Sequence, residues 1–263
     1  MKIPLYQVDA FTKEPYKGNP AAVCLLTEKM PDAWMKAVAL EMNLSETAFL
    51  LPQKGGYQLR WFTPLLEVDL CGHATLASSF VLFEKGLVKD DDVIKFFTRS
   101  GELKATRAQG WIMLDFPLFK EKNWEAPSAF IKSLGVQPVN VACSGENVII
   151  EVASVQEVYG VRPNFMEMIK TPLHGVAITA QSDREEYDFV SRYFAPWAGI
   201  NEDPVTGSVH ACLGPYWGKR LGKETMMAYQ ASARGGVIRV QLLEARVLLS
   251  GQAVMVFEGF LLN

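Results

Sequence analysis

RWFTPLLEVDLCGHATLA, Arg60 to Ala77, and RYFAPWAGINEDPVTGSVHA, Arg192 to Ala211, read as two versions of one phrase. Each runs Arg, aromatic, Phe, a small residue, Pro, then an acid, then Gly and the start of a buried-looking helix. Gly72 and Gly207 stand 135 positions apart (207 − 72), and Arg99-Ser100-Gly101 returns as Arg234-Gly235-Gly236 at that same spacing. Order and spacing agree together, which chance likeness between short motifs does not supply. The period is close to half of the 263 residues, so the sequence predicts an ancient duplication. Two similar domains follow, each a curled sheet around one central helix. The expected domains are residues 1–118 and 119–263, with the last strand a candidate to pack on the first domain.

The surrounding sequence alternates strand and helix signals. LYQVDAF reads as a strand, Pro31 to Met42 as an amphipathic helix, and TAFLLP as a strand that turns at Lys54-Gly55-Gly56 into YQLRWF. HATLASSFVLFEKG is apolar nearly all round, the pattern of a helix buried on every side, with Gly86 as its stop. VIKFF, WIMLDFPL, NVIIEV, GVAITA, GVIRVQLL and AVMVFEGFLL are β-rich and are the expected wrapping.

A hydrophobic content of 49% supports an ordinary buried core. A net charge of −3, with both signs scattered, gives no basic stripe for nucleic acid, and there is no Lys/Arg-rich helix suited to a membrane surface. No apolar run approaches the roughly 20 residues of a membrane span, and Asp9 falls where a signal peptide needs its apolar stretch. The expectation is a cytoplasmic protein whose Cys24, Cys71, Cys143 and Cys212, without a CxxC pair, are free thiols.

EDPVTGSVHA, Glu202 to Ala211, places an acid within five residues of a helix start. The first turn of a helix offers unpaired N–H groups and partial positive charge, which suits an anion, and an acid beside it can handle protons. If two such domains face each other, the amides beginning at His73 and Ser208 can hold a carboxylate in a shared cleft.

NLSETAFLLP, RWFTP followed by EVDLCGHATLAS, YFAPWAGINEDPVTGS and the RGG at 234–236 resemble, in this order, the PhzF family of phenazine-biosynthesis-like isomerases. DAFT and GNPAAV near the start extend the likeness over nearly the whole chain. The resemblance implies the α+β fold of diaminopimelate epimerase, with two pseudo-symmetric domains, a central helix in each, an active site between them, and a homodimer. It implies catalytic roles for Glu46, Asp203 and His73, and substrate contacts from Gly72, Gly207, Ser208 and Asn19. Taken one by one, these residues have plainer readings. Glu46 fits a solvated strand start, His73, Asp203 and Ser208 fit helix caps, and Asn19 fits a turn.

The residues also bear on the reaction. Inverting a stereocentre without a cofactor needs one group to remove a proton and another to return it on the opposite face. The related epimerases and proline racemases use two cysteines. Here Cys71 resembles the first thiol, but the second motif reads DPVTGS, and Cys212 lies five residues past Gly207. A suprafacial proton shift across an allylic system needs a single carboxylate. Glu46 is therefore expected to serve a cofactor-independent isomerase acting on a small unsaturated, carboxylate-bearing metabolite. The alternatives are a Cys71-dependent epimerase and a non-catalytic binding protein. His73, His174 and His210 lack zinc-ligand spacing, so no metal is expected. The glycines form no dinucleotide or phosphate loop.

Overall fold

The computed structural model describes residues 2–144 and 147–262. The chain divides into two compact units, Met1–Asp115 with Ser250–Asn263, and Phe116–Leu249. The second unit thus begins three residues before the point expected from the sequence, and the C-terminal segment returns to the first.

The first unit contains β1 (Lys2–Ala10), β2 (Asn19–Leu25), α1 (Asp32–Met42), β3 (Glu46–Gln53), β4 (Gly56–Phe62), β5 (Glu67–Val68), α2 (Gly72–Glu84), β6 (Ile94–Thr98), β7 (Gly101–Ala108) and β8 (Trp111–Pro117). β1 and β2 are antiparallel, β2 and β3 parallel, β3 and β4 antiparallel, and β4 and β6 parallel. Each parallel pair requires a crossover, and α1 and α2 provide them. The closing strand Ala253–Leu262 pairs antiparallel with β1, with a bulge at Gln7/Val8.

α2 is buried around nearly its whole circumference, from Gly72 through Ser79 and again over Val81–Phe83. β1, β2, β3, β7 and the closing strand pack on it. Its three interior hydroxyls turn back on the helix: Thr75 donates to Cys71 O, Ser78 to Ala74 O and Ser79 to Thr75 O. This is how a helix with polar residues on every face can be fully enclosed. α1 covers the other side of the sheet through Met35, Val38 and Ala39, which join Ala22, Cys24, Phe49 and Phe62.

The second unit repeats the same path. It contains β9 (Glu121–Asn123), α3 (Ser128–Leu134), β10 (Asn140–Ser144), β11 (Asn147–Glu151), α4 (Val155–Gly160), α5 (Phe165–Met168), β12 (Gly175–Gln181), β13 (Phe189–Ala195), β14 (Ile200–Asp203), α6 (Gly207–Leu221), β15 (Thr225–Gln230), β16 (Gly236–Leu242) and β17 (Arg246–Gly251). β10 and β11 are antiparallel, β11 and β12 parallel, β12 and β13 antiparallel, and β13 and β15 parallel. The order of pairings is that of the first unit, strand for strand. α6 is buried at Gly207, Val209–Gly214 and Tyr216–Gly218 and packs on β9, β11, β15 and β16.

The repeated phrase makes the same contact twice. Arg60 donates from Nε and one terminal nitrogen to the two oxygens of Glu67, at 2.7 and 2.6 Å. Arg192 grips Glu202 in the same way, at 2.7 and 2.8 Å. Each guanidinium also lies over the Phe two residues on, Phe62 and Phe194, at 5.1 and 4.9 Å from the ring centre. A bidentate pair with stacking is a use of arginine that lysine cannot reproduce. The acid of the repeated phrase is therefore Glu202, and Asp203 stands outside the repeat.

Registers extend the comparison. Thr47 pairs with Phe62, and Val176 with Phe194. The counterpart of Glu46 is then Gly175, and a Cβ built there would lie 1.9 Å from the Tyr193 hydroxyl.

Candidate functional site

In the first unit the structure brings together Asn19, Glu46, Cys71 and His73. Asn19 opens β2 and is fully buried. The loop before it is tightly shaped: Phe11 and Tyr16 adopt positive φ, and the Tyr16 N–H donates to the buried Asp9 carboxylate at 2.6 Å. Gly18 has φ +61°, and a Cβ there would come within 2.1 Å of the Ala10 carbonyl oxygen. Left-handed non-glycine residues cost about 1–3 kcal/mol each and persist where the surroundings impose them. Here they deliver Asn19 to the start of α2.

Cys71 is the N-cap of α2, with its thiol placed loosely against the Ala74 N–H of the first turn. The thiol lies 3.6 Å from His73 Nδ1, and the Asn19 amide nitrogen lies 3.2 Å from the same atom. With Asn19 donating, Nδ1 is the acceptor and the neutral form of His73 carries its proton on Nε2. That nitrogen is 3.1 Å from Glu46 Oε2, an ion-pair distance that is off the hydrogen-bond line. The Glu46 side chain is 14% exposed and that of His73 is 6% exposed.

Charge follows from this order. Burial pulls the His73 pKa down, but Cys71 and Glu46 on opposite sides of the ring outweigh it and hold His73 well above its ordinary value. Burial pushes the Cys71 thiol up, the Glu46 charge adds to this, and His73 opposes it.

Glu46, Cys71 and His73 present ligand atoms within 4.8 Å of one another, the donor types of a zinc site. The thiol faces Nδ1 and the carboxylate faces Nε2, however, and one ion can take only one ring nitrogen. The arrangement is a chain through the imidazole.

In the second unit Asp203 ends β14 and Thr206 is the N-cap of α6, without a side-chain capping bond. The Thr206 hydroxyl donates to the Asp203 carboxylate instead. Gly207 is the first residue of α6 and Ser208 the second, in the places that Gly72 and His73 occupy in α2. The plainer reading of His73, Asp203 and Ser208 as caps does not hold, because the N-caps are Cys71 and Thr206.

Two residues here escaped the sequence reading. Gln230, fully buried at the end of β15, accepts the Thr206 N–H at 2.8 Å and donates to Asp203 O at 2.8 Å and to Thr206 Oγ1 at 3.2 Å. Ser232 adds a bond to Pro204 O at 2.7 Å. The Asp203–Thr206 turn is thereby fixed to the strand beside it. The available signal for Gln230 was a lone amide closing the run TMMAYQ. His210, set aside in the sequence as a zinc ligand, has a local role: its Nδ1 donates to Thr206 O at 2.7 Å, so its proton sits on the nitrogen opposite to that of neutral His73. Burial holds its pKa down at about 4.

The duplicated sheet-and-helix units, each with a buried helix and an acid close to its start, define the diaminopimelate epimerase-like class of fold. A hydroxyproline epimerase from Agrobacterium vitis shares that fold with a TM-score of 0.62 at 13% identity, over 99% of this chain and 93% of the epimerase. The family model for PhzC-PhzF, phenazine biosynthesis-like protein, matches residues 8–259, and the chain belongs to that family. An uncharacterized isomerase of Halalkalibacterium halodurans is 50% identical over 100% of this chain and 99% of its own length. The crystal structure of a PhzF family phenazine biosynthesis protein from Enterococcus faecalis superposes with a TM-score of 0.96 at 42% identity, each chain covered completely.

Proposed function

We propose that this protein is a cofactor-independent isomerase that moves a proton along a small unsaturated, carboxylate-bearing metabolite, with Glu46 as general acid and base. The observation that carries the reading is the Glu46 carboxylate held 3.1 Å from His73 Nε2 at the start of a buried helix. One carboxylate can collect a proton at one carbon and deliver it at another on the same face, which an allylic shift requires. His73 orients Glu46 and balances its charge. Within the first unit, the first-turn amides of α2 from Gly72 onward are candidates to hold the substrate carboxylate, with Asn19 orienting the rest. Relatives named isomerases support the reaction class. A cytoplasmic homodimer completes the proposal, and among the described residues no helix is long and apolar enough to cross a membrane.

A thermal-shift screen with aromatic and alicyclic carboxylic acids identifies the ligand class, and turnover of a hit in deuterated solvent tests the chemistry. Glu46→Gln keeps shape and hydrogen bonding but removes the titratable group. Turnover is expected to fall by about 10² to 10⁴ while ligand binding survives. The second reading is a thiol-dependent epimerase, favoured by Cys71 Sγ at 3.6 Å from His73. A dead Cys71→Ser variant beside an active Glu46→Gln variant would select it.

A further inference from the structure

We infer that Cys71 is a positioning residue of this acid–base site: its thiol exchanges a proton with Glu46 through the imidazole of His73, so the site can rest with that proton at either end. The inference builds on the reading of Glu46 as the proton carrier. Three groups lie in sequence, with Sγ 3.6 Å from Nδ1 on one side of the ring and Oε2 3.1 Å from Nε2 on the other. The thiol is at a helix N-cap, where the Ala74 N–H and His73 both favour its thiolate form. Asn19 completes the arrangement because its amide can serve both ring tautomers, giving N–H to a bare Nδ1 or, turned over, its oxygen to Nδ1–H.

The proton moves in two steps. In the first, the Asn19 N–H gives up the single Nδ1 lone pair, the S–H bond of Cys71 breaks and an N–H bond forms at Nδ1, leaving a thiolate beside an imidazolium that still faces the Glu46 carboxylate. In the second, a small rotation of that carboxylate onto the hydrogen-bond line lets the Nε2–H bond break and an O–H bond form. The products are the thiolate, the Nδ1–H imidazole and the protonated acid. Net charge is unchanged and no redox partner is involved. The raised pKa of His73 favours the imidazolium on the path, and burial of Cys71 opposes the thiolate. The titratable groups facing His73 are Cys71 from the start of α2 and Glu46 from β3, while β2 contributes the neutral Asn19. A carboxylate that must act first as base and then as acid gains a store from which it can be recharged, in either direction of the reaction.

The test requires no substrate. The thiolate ultraviolet absorption that disappears in Cys71→Ser is followed against pH in the full-length protein, in Glu46→Gln, in His73→Gln and in the double variant. The nitrogen chemical shifts of the three histidines report the His73 tautomer in the same samples. Acting through His73, the Glu46 carboxylate favours the thiolate, so Glu46→Gln is expected to move the Cys71 midpoint upward by about one pH unit, roughly tenfold less thiolate at fixed pH. In the His73→Gln background the same change is expected to lose that upward shift. Acting directly, a negative charge disfavours a thiolate, so a downward shift in Glu46→Gln, or none, overturns the relay. An upward shift that persists without His73 also overturns it. If Glu46→Gln does not fold, Glu46→Asp withdraws the carboxylate from Nε2, and the same signs apply. A Glu46→Gln protein that is dead in turnover but unshifted at Cys71 would keep the isomerase reading and remove the relay.

Discussion

Arg60 with Glu67 and Arg192 with Glu202 make the same pair of hydrogen bonds in the two units, yet the reactive positions beside them differ throughout. Cys71 corresponds to Thr206, His73 to Ser208 and Glu46 to Gly175, while Asp203 falls opposite Val68. The duplication preserved what holds the chain before each buried helix and let the chemistry diverge. Stability and function therefore occupy neighbouring but separate residues, and the comparison can be tested at each.

The largest effect is expected at the shared contacts. Arg192→Ala leaves the largely buried Glu202 without its bidentate partner, at a cost of about 3–5 kcal/mol, and Arg60→Ala is expected to cost less because Arg99 stays 2.6 Å from Glu67. Urea unfolding of both variants measures this. A loss in both variants would sharpen the equivalence of the two units, and a loss confined to one would break it.

A smaller effect separates the two histidines. His210 is held at about 4 against an ordinary 6.5, so the unfolded chain binds the proton more readily, and the stability it contributes is lost as pH falls from 6.5 toward 4. The expected loss is about 3 kcal/mol over that window, and His210→Gln should flatten it. His73 is raised, so its contribution is present below the ordinary value and is lost as pH climbs through the folded one. The stability–pH slopes of His73→Gln and His210→Gln should accordingly depart from the parent in opposite senses. Departure in the same sense would remove the contrast.

The smallest effect is expected at Leu65, 75% exposed in the turn of the first phrase. Leu65→Ser should leave unfolding free energy within about 0.5 kcal/mol of the parent. A larger change would mean that this turn is covered in solution.

The strand and helix pattern was legible wherever it was long. Leu5–Phe11, Pro31–Met42 and the all-apolar run from His73 were placed within a few residues of their observed limits, because burial there is periodic or complete. The duplication was legible because Arg–aromatic–Phe must be kept for the guanidinium to grip its acid and cover its Phe. α3, α4 and α5 were missed, since helices of seven, six and four residues are too short to show a period. The resemblance named Glu46, His73 and Asn19, which the structure brings together, whereas the partners of Cys71 were not legible. Spacing along a chain does not reveal that a thiol two residues before a histidine lies against its Nδ1.

Gly175 gives the asymmetry a direction in evolutionary time. The Tyr193 hydroxyl occupies the space that any side chain at Gly175 would need, and it is anchored there by a bond to Asn147 Oδ1 at 2.6 Å. A mutation that supplied a second carboxylate at this position would meet the tyrosine before it could meet a substrate. Placing an acid there would take coordinated changes at Gly175 and Tyr193. The specialisation of the two halves is therefore hard to reverse one substitution at a time, and descendants of this chain are channelled toward refining the single carboxylate on β3.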